Sequence, residues 1–219
     1  MHSFIYLASQ SLRRQALLTQ LGVRFELLLP AGDEDAEAIE VPLPNEKARA
    51  YVERVTLAKC DAALQRWKKR GLPWAPILCA DTTVSLPQSD VAQILGKPID
   101  SADAERILRL LSDQTHEVLT AIALIPDQGA KPIGLVQVSE VEFMELTDER
   151  IAAYIASGEP MGKAGAYGIQ GLGGALIRRI HGSYSGIMGL PLFETATLLD
   201  NAGVACLLTT PTATRAEYE

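Results

Sequence analysis

Hydrophobic positions recur along this chain in two periods, one suited to strands and one to helices. "SFIYLAS" (3–9) is an apolar run of strand length that feeds "SLRRQALLTQLG" (11–22), where Leu17, Leu18 and Leu21 fall at helical spacing and Gly22 gives a stop. "FELLLP" (25–30) predicts the next strand, and the acidic stretch "GDEDAEAIE" reads as a solvated loop. A long helix is predicted over 45–71, ending in a basic turn and Gly71. At 100° per residue Ala48, Val52, Val55, Ala62 and Ala63 share one of its faces, and Lys59 falls in the middle of that face. Two readings of Lys59 stand open: a stem that snorkels past apolar neighbours, or an ammonium aimed at an anion inside the fold.

The run "ILCADTTV" (77–84) predicts a buried strand that stops at a carboxylate, Asp81. A carboxylate carried there must be protonated, paired or bound to a cation, because desolvating it alone is costly. "VSLPQSDVAQILGKP" reads as two short strands joined by a polar turn, and 101–113 as a capped amphipathic helix. "HEVLTAIALIP" and "PIGLVQVSEVEFMEL" have hairpin character. A further helix over 147–160 opens at Thr147 and closes at Gly158. After the glycine-rich "GKAGAYGIQGLGG" come a strand in "ALIRRIHGSY", a helix near "PLFETATLLDNAG", a closing strand "VACLLTT" and a loose tail over 210–219. Strand-to-strand neighbours among the helices favour an α/β fold. The expected form is an elongated, twisted mixed sheet flanked by helices, one domain over 1–219 with two lobes and a central cleft.

Composition narrows the function. The 219 residues are 47% hydrophobic and 21% charged, the balance of a globular chain large enough to bury a core. A formal charge of −7 argues against a nucleic-acid surface, though basic groups within a cleft can still hold a small anion. Cys60, Cys79 and Cys206 are widely spaced and form no CxxC pair, which fits reduced thiols in the core. With no basic leader and no apolar window of membrane-spanning length, the expected location is the cytoplasm, with no membrane partner.

Within this frame, polar groups gather at a few places. In "LASQSLRR" Ser9 and Ser11 precede a helix that carries Arg13 and Arg14 in its first turn, a ready anion site. An ordinary N-cap with solvated arginines is the plain alternative. Lys97 lies in the turn "LGKP", and the glycines of "GKAGAYGIQGLGG" permit tight turns or close backbone approach. Asp81, Glu34 and neighbouring Asp33 supply acid. His2, His116 and His181 are too scattered for zinc, whereas carboxylates suit magnesium or manganese. Basic groups beside an oxygen-ligated metal point to phosphate chemistry. A serine hydrolase is not supported, since "GSYSG" (182–186) places Tyr184 where a nucleophile belongs, and "DTTV" lacks the second aspartate of an aspartyl-nucleophile phosphatase.

With these residues assembled, the chain resembles the Maf family of nucleoside triphosphate pyrophosphatases, also described as septum-formation-inhibitor-like proteins. The likeness is carried in order by "LASQSLRRQALL", "GDED", "LAKCDAA", "ADTTV", "LGKPID", "LLSDQTHEVLTAIAL", "GKAGAYGIQGLGG" and "HGSYSGIMGLPL". It implies a metal-dependent enzyme, with magnesium or manganese as cofactor, that converts surplus or non-standard nucleoside triphosphates to monophosphate and pyrophosphate. A homodimer is left open. The resemblance makes Asp81 the proton acceptor, Ser9, Arg14, Lys59 and Lys97 the phosphate-binding cleft residues, and Glu34 the metal-side acid beside Asp81. Arg13, Thr82 and Gln170 resemble the substrate-dividing positions of the dTTP and UTP branch, whereas the 7-methyl-GTP branch carries tryptophan and other partners at the last two. The chain departs from the family pattern at Leu12, Cys79 and Asp113, which bears on loop geometry. A nucleotide-binding regulator of division, without turnover, is the rival; the intact set Asp81, Glu34, Lys59 and Lys97 speaks for the enzyme.

Overall fold

The structure, a computed structural model, describes residues 2–31, 34, 38–87 and 93–206. Asp33 and the 210–219 tail lie outside the described residues, as does most of the closing strand expected over "VACLLTT", of which Val204 makes an isolated parallel bridge to His2. Among the described residues one seven-stranded sheet organises the chain. Its strands are β1 (Ile5–Leu7), β2 (Phe25–Leu27), β3 (Ile77–Leu86), β4 (Gln93–Leu95), β5 (Thr115–Ile125), β6 (Ile133–Phe143) and β7 (Ile177–His181). The order is β2-β1-β3-β5-β6-β7, with β4 beside β3. β1 runs parallel to β2 and β3, while the remaining pairs are antiparallel, so the sheet is mixed, as the sequence predicts.

Helices cover both faces: α1 (Leu12–Gln20), α2 (Ala48–Arg70), α3 (Ser101–Leu111), α4 (Asp148–Ala156), α5 (Tyr184–Met188) and α6 (Leu192–Asn201). Because strand side chains alternate, the odd residues of β3 face α2. Ile77 and Cys79 pack there with Cys60, Ala63 and Trp67 of α2. Even residues face the other way and fall into two cores. Leu78 and Ala80 join Leu17 and Leu18 of α1 and Leu199 of α6, whereas Val84 and Leu86 join Ile107 and Leu108 of α3 and Ile151 of α4. Thr82, between Ala80 and Val84, marks the boundary of the two cores.

One sequence expectation is corrected here. β3 does not stop at Asp81 but runs through it to Leu86, so Asp81 is a mid-strand residue. It is reachable because of a gap in the sheet. β1 pairs with β3 only at Ile77 and Leu78, and β4 joins the same edge only from Val84. Between them, Asp81 and Thr82 lie on an edge with no strand beside it among the described residues. β1 and β2 are also shorter than the runs that predicted them. Past β2 the carbonyls of Leu28 and Leu29 accept hydrogen bonds from the Arg66 and Arg70 guanidiniums. α2 starts at Ala48 and not at Asn45, whose φ of 59° is left-handed and non-helical.

Candidate active site

A cavity of about 760 Å³ opens at the gap in the sheet. On the α2 side, Lys59 Nζ donates to Asp81 Oδ1 at 2.6 Å and to Glu40 Oε1 at 2.7 Å, and Lys97 Nζ donates to Glu40 Oε2 at 2.7 Å. The four groups form a chain of alternating charge. Lys59 reaches inward because it lies on the helix face that packs on β3, and Asp81 meets it because odd β3 residues point to that helix. The anion-directed reading of Lys59 therefore describes its contacts. Glu40 is fixed by its neighbours: Tyr51 Oη donates to its carbonyl at 2.8 Å, while Arg54 donates to the carbonyls of Ile39 at 3.4 Å and Val41 at 3.0 Å. Burial alone would push the Glu40 carboxyl up, but Lys59 and Lys97 together more than offset this and hold it below its ordinary value.

On the opposite side, Arg14 spends its donors on neutral oxygens. Nε donates to Gly189 O at 2.8 Å, Nη1 to Ser9 Oγ at 3.1 Å and Nη2 to Thr82 Oγ1 at 3.2 Å. Thr82 Oγ1 lies 2.9 Å from Thr120 Oγ1, which donates to Gly186 O at 2.7 Å. With the Thr120 proton used there, the Thr82 hydroxyl donates to Thr120 and accepts from Arg14. Thr82 thus orients the guanidinium. Arg13 Nε donates to Met188 O at 3.3 Å. Burial lowers both guanidinium pKa values, Asp81 and Glu40 opposing it for Arg14.

The third wall is the glycine-rich loop. Gly165, at φ 70°, packs on Val84 so closely that a Cβ would meet Val84 Cγ2 at 2.7 Å, and its N–H donates to Gly96 O at 3.1 Å, next to Lys97. Glu159 braces the loop by accepting from Tyr154 Oη at 2.9 Å and from the N–H groups of Leu172 at 2.9 Å and Gly173 at 3.0 Å. Tyr167 turns back to hydrogen-bond the buried His116, Oη to Nε2 at 2.9 Å. Gln170 is exposed at the cavity wall, and Lys163 donates to the Glu159 carbonyl.

Ser9, Arg13, Arg14, Glu34, Lys59, Asp81, Thr82, Lys97 and Gln170, singled out from the sequence, all line this one cavity. Glu34 stands apart from Asp81, however. It is bound by the buried Arg66, with Oε2 at 2.6 Å from Nη2 and 3.0 Å from Nε. The carboxylate joined to Asp81 through Lys59 is Glu40, which sequence reasoning passed over along with Lys163 and Thr120. Glu40 belongs to a run of acids that look alike in the sequence; what sets it apart is the fold, in which Tyr51 and Arg54, three apart on α2, grip the backbone around it. No group of three or more His, Cys, Asp or Glu among the described residues could hold a metal by itself. Asp81 and Glu40 nonetheless offer hard oxygen donors suited to magnesium or manganese, ions that take one or two carboxylates and complete their shell with water and phosphate oxygens.

The model of the Maf-like protein family matches residues 4–202. Among curated proteins, the dTTP/UTP pyrophosphatase of Albidiferax ferrireducens is 58% identical over 203 residues, 93% of this chain and 98% of that protein. The one of Ralstonia nicotianae is 58% identical over 93% of this chain and 96% of its own. That of Burkholderia pseudomallei is 54% identical with the same coverage.

Proposed function

The chain belongs to the Maf-like protein family, and from that premise we propose that it hydrolyses nucleoside triphosphates, dTTP and UTP foremost, to the monophosphate and pyrophosphate. The observation that carries this reading is the convergence of Asp81, Lys59, Lys97 and Arg14 on one cavity where β3 has an open edge. The names of the similar curated proteins support it. The family match and the single sheet also support reading the chain as one domain.

In this proposal Asp81 is the general base. Lys59 holds Oδ1, which leaves Oδ2 for a water molecule. As water attacks phosphorus at the α–β junction, its proton passes to Asp81, a P–O bond forms to the water oxygen, and the bridging P–O bond breaks with pyrophosphate as leaving group. Lys97 and Lys59 place positive charge beside the reacting phosphate, and Ser9 and Arg14 orient the substrate from α1. Asp81 and Glu40 would hold a magnesium or manganese ion carried in with the phosphates, Glu40 standing where the sequence put Glu34. When bound, the ion supplies charge neutralisation on the leaving group.

Gln170 presents an amide whose donor and acceptor complement the N3–H and carbonyls of uracil or thymine. Thr82 fixes the orientation of Arg14, which meets the phosphates. The test is a panel of nucleoside triphosphates with magnesium, assayed separately for pyrophosphate and orthophosphate. The expected result is pyrophosphate in a single step, with dTTP and UTP preferred over ATP, GTP and 7-methyl-GTP. Orthophosphate released first would overturn the reaction. An unchanged pyrimidine-to-purine ratio in Gln170→Glu would overturn the base assignment.

A further inference from the structure

The charges that line the cavity divide into two groups. Lys59, Lys97, Asp81 and Glu40 neutralise one another, and Arg66 is paired with Glu34. Arg13, Arg14 and Lys163 have no such partner. Their hydrogen bonds go to the carbonyls of Met188, Gly189 and Glu159 and to the hydroxyls of Ser9 and Thr82. Among the described residues, no carboxylate lies within ion-pair distance of any of them. From further off the Glu159 carboxylate acts on Lys163, and Asp81 and Glu40 act on Arg14, but the Glu159 oxygens are already taken by Tyr154 and the N–H groups of Leu172 and Gly173, and Asp81 and Glu40 are bound to Lys59 and Lys97.

Uncompensated cations in a partly buried wall are unfavourable until an anion arrives. Burial lowers the pKa of all three, and Arg13 lowers that of Lys163 further by repulsion. Lys163 is also held in place. Its stem lies along Gly168, where a Cβ would come within 3.1 Å of Cε and 3.2 Å of Cδ, so the absence of a side chain there makes room for the lysine. Ser11 caps α1 beside them, accepting from Arg14 N at 3.4 Å, so the positive end of that helix faces the same place.

We infer that Lys163, with Arg13 and Arg14, grips the β- and γ-phosphates that leave as pyrophosphate, while the charge-balanced group around Asp81 handles the reacting phosphorus. This rests on the hydrolysis proposed above and adds a binding residue to it. A polyphosphate tail brings the several negative charges that this wall lacks, whereas a neutral base would leave the cations uncompensated. The base is then selected elsewhere, and Lys163 contributes equally to every triphosphate.

Inorganic tripolyphosphate, which has no base, separates this site from the rest. Calorimetric titration of the intact protein should show binding that weakens by about tenfold or more in Lys163→Gln, the scale of one lost charge-assisted contact. KM should rise by similar factors for dTTP, UTP and GTP, with kcat much less affected, and Lys163→Arg should recover most of the affinity. Should Lys163→Gln fail to fold, Lys163→Met, which keeps the stem on Gly168, carries the same test. Unchanged tripolyphosphate affinity in a folded variant overturns the inference, as does a KM effect confined to one base. Lysine-dependent tripolyphosphate binding by a protein that releases no pyrophosphate would leave this site standing and sink the reaction instead.

Discussion

Asp81 and Lys59 meet at 2.6 Å with only 11% and 17% of their side chains exposed, and removing either has unequal consequences. In Asp81→Asn the ammonium keeps Glu40 as partner, so no buried cation is orphaned and the fold should persist. Hydrolysis should fall by roughly 100- to 10,000-fold, the usual contribution of a general base; turnover within a few-fold of wild type would remove Asp81 from that role. Thr120 offers a complementary case. Thr120→Val keeps the shape but deprives the Thr82 hydroxyl of its acceptor and takes one of two donors from Gly186 O, which keeps the Gly189 N–H at 2.9 Å, and this should cost about 1–2 kcal/mol in urea denaturation. Arg14 then loses its fixed partner, so kcat/KM should drop as well. Unaltered kinetics in that variant would show that Arg14 needs no help from the threonine pair.

At the scale of elements, what could be read from letters was what local pattern encodes. The apolar face of α2, the Thr147 cap of α4 and the β5–β6 pair all carry their own signals. What escaped depended on distant partners. The letters of 77–84 point to a strand end at Asp81, whereas β3 continues through it, and the mid-strand carboxylate is tolerated because α2 brings Lys59 to it. Asp113, one of the positions where the chain departs from the family pattern, occupies φ 55°, a left-handed conformation that aspartate accepts better than most residues. Glu40 could not be told from the other acids of its loop until the grip of Tyr51 and Arg54 was seen. Gly165 shows how one element sets another. Gly165→Ala would place a methyl against Val84 at a φ of 70°, so two costs combine, and a loss of about 1–3 kcal/mol is expected. The loop also ties to Gly96 beside Lys97, so KM should rise with the fall in Tm. Wild-type Tm and KM in that variant would contradict the packing of the loop on β3.

For the molecule as a whole, His116 links stability to pH. It is fully buried in β5 between Phe143 and Tyr167, with rings at 5.0 and 5.5 Å, and its Nδ1 has no hydrogen-bond partner. Burial lowers its pKa from 6.5 to about 3. The folded state therefore keeps the ring neutral over a range in which the unfolded chain protonates it. Its contribution is fully present above about pH 6.5 and is lost as pH falls from there towards 3, at about 1.4 kcal/mol per pH unit. Between pH 6.5 and 5 this amounts to roughly 2 kcal/mol. The paired acids act in a lower window, since Glu40 and Glu46 have pKa values depressed from 4.5 and their contributions decline only as pH drops below that value. Urea denaturation at pH 5, 5.5, 6 and 6.5 thus isolates the histidine. His116→Phe, which suits the aromatic cluster but leaves the Tyr167 hydroxyl unpaired, should be less stable at pH 7 by a pH-independent amount and should show a flatter dependence on pH across that interval. A variant with the wild-type slope would mean that another group takes up the proton.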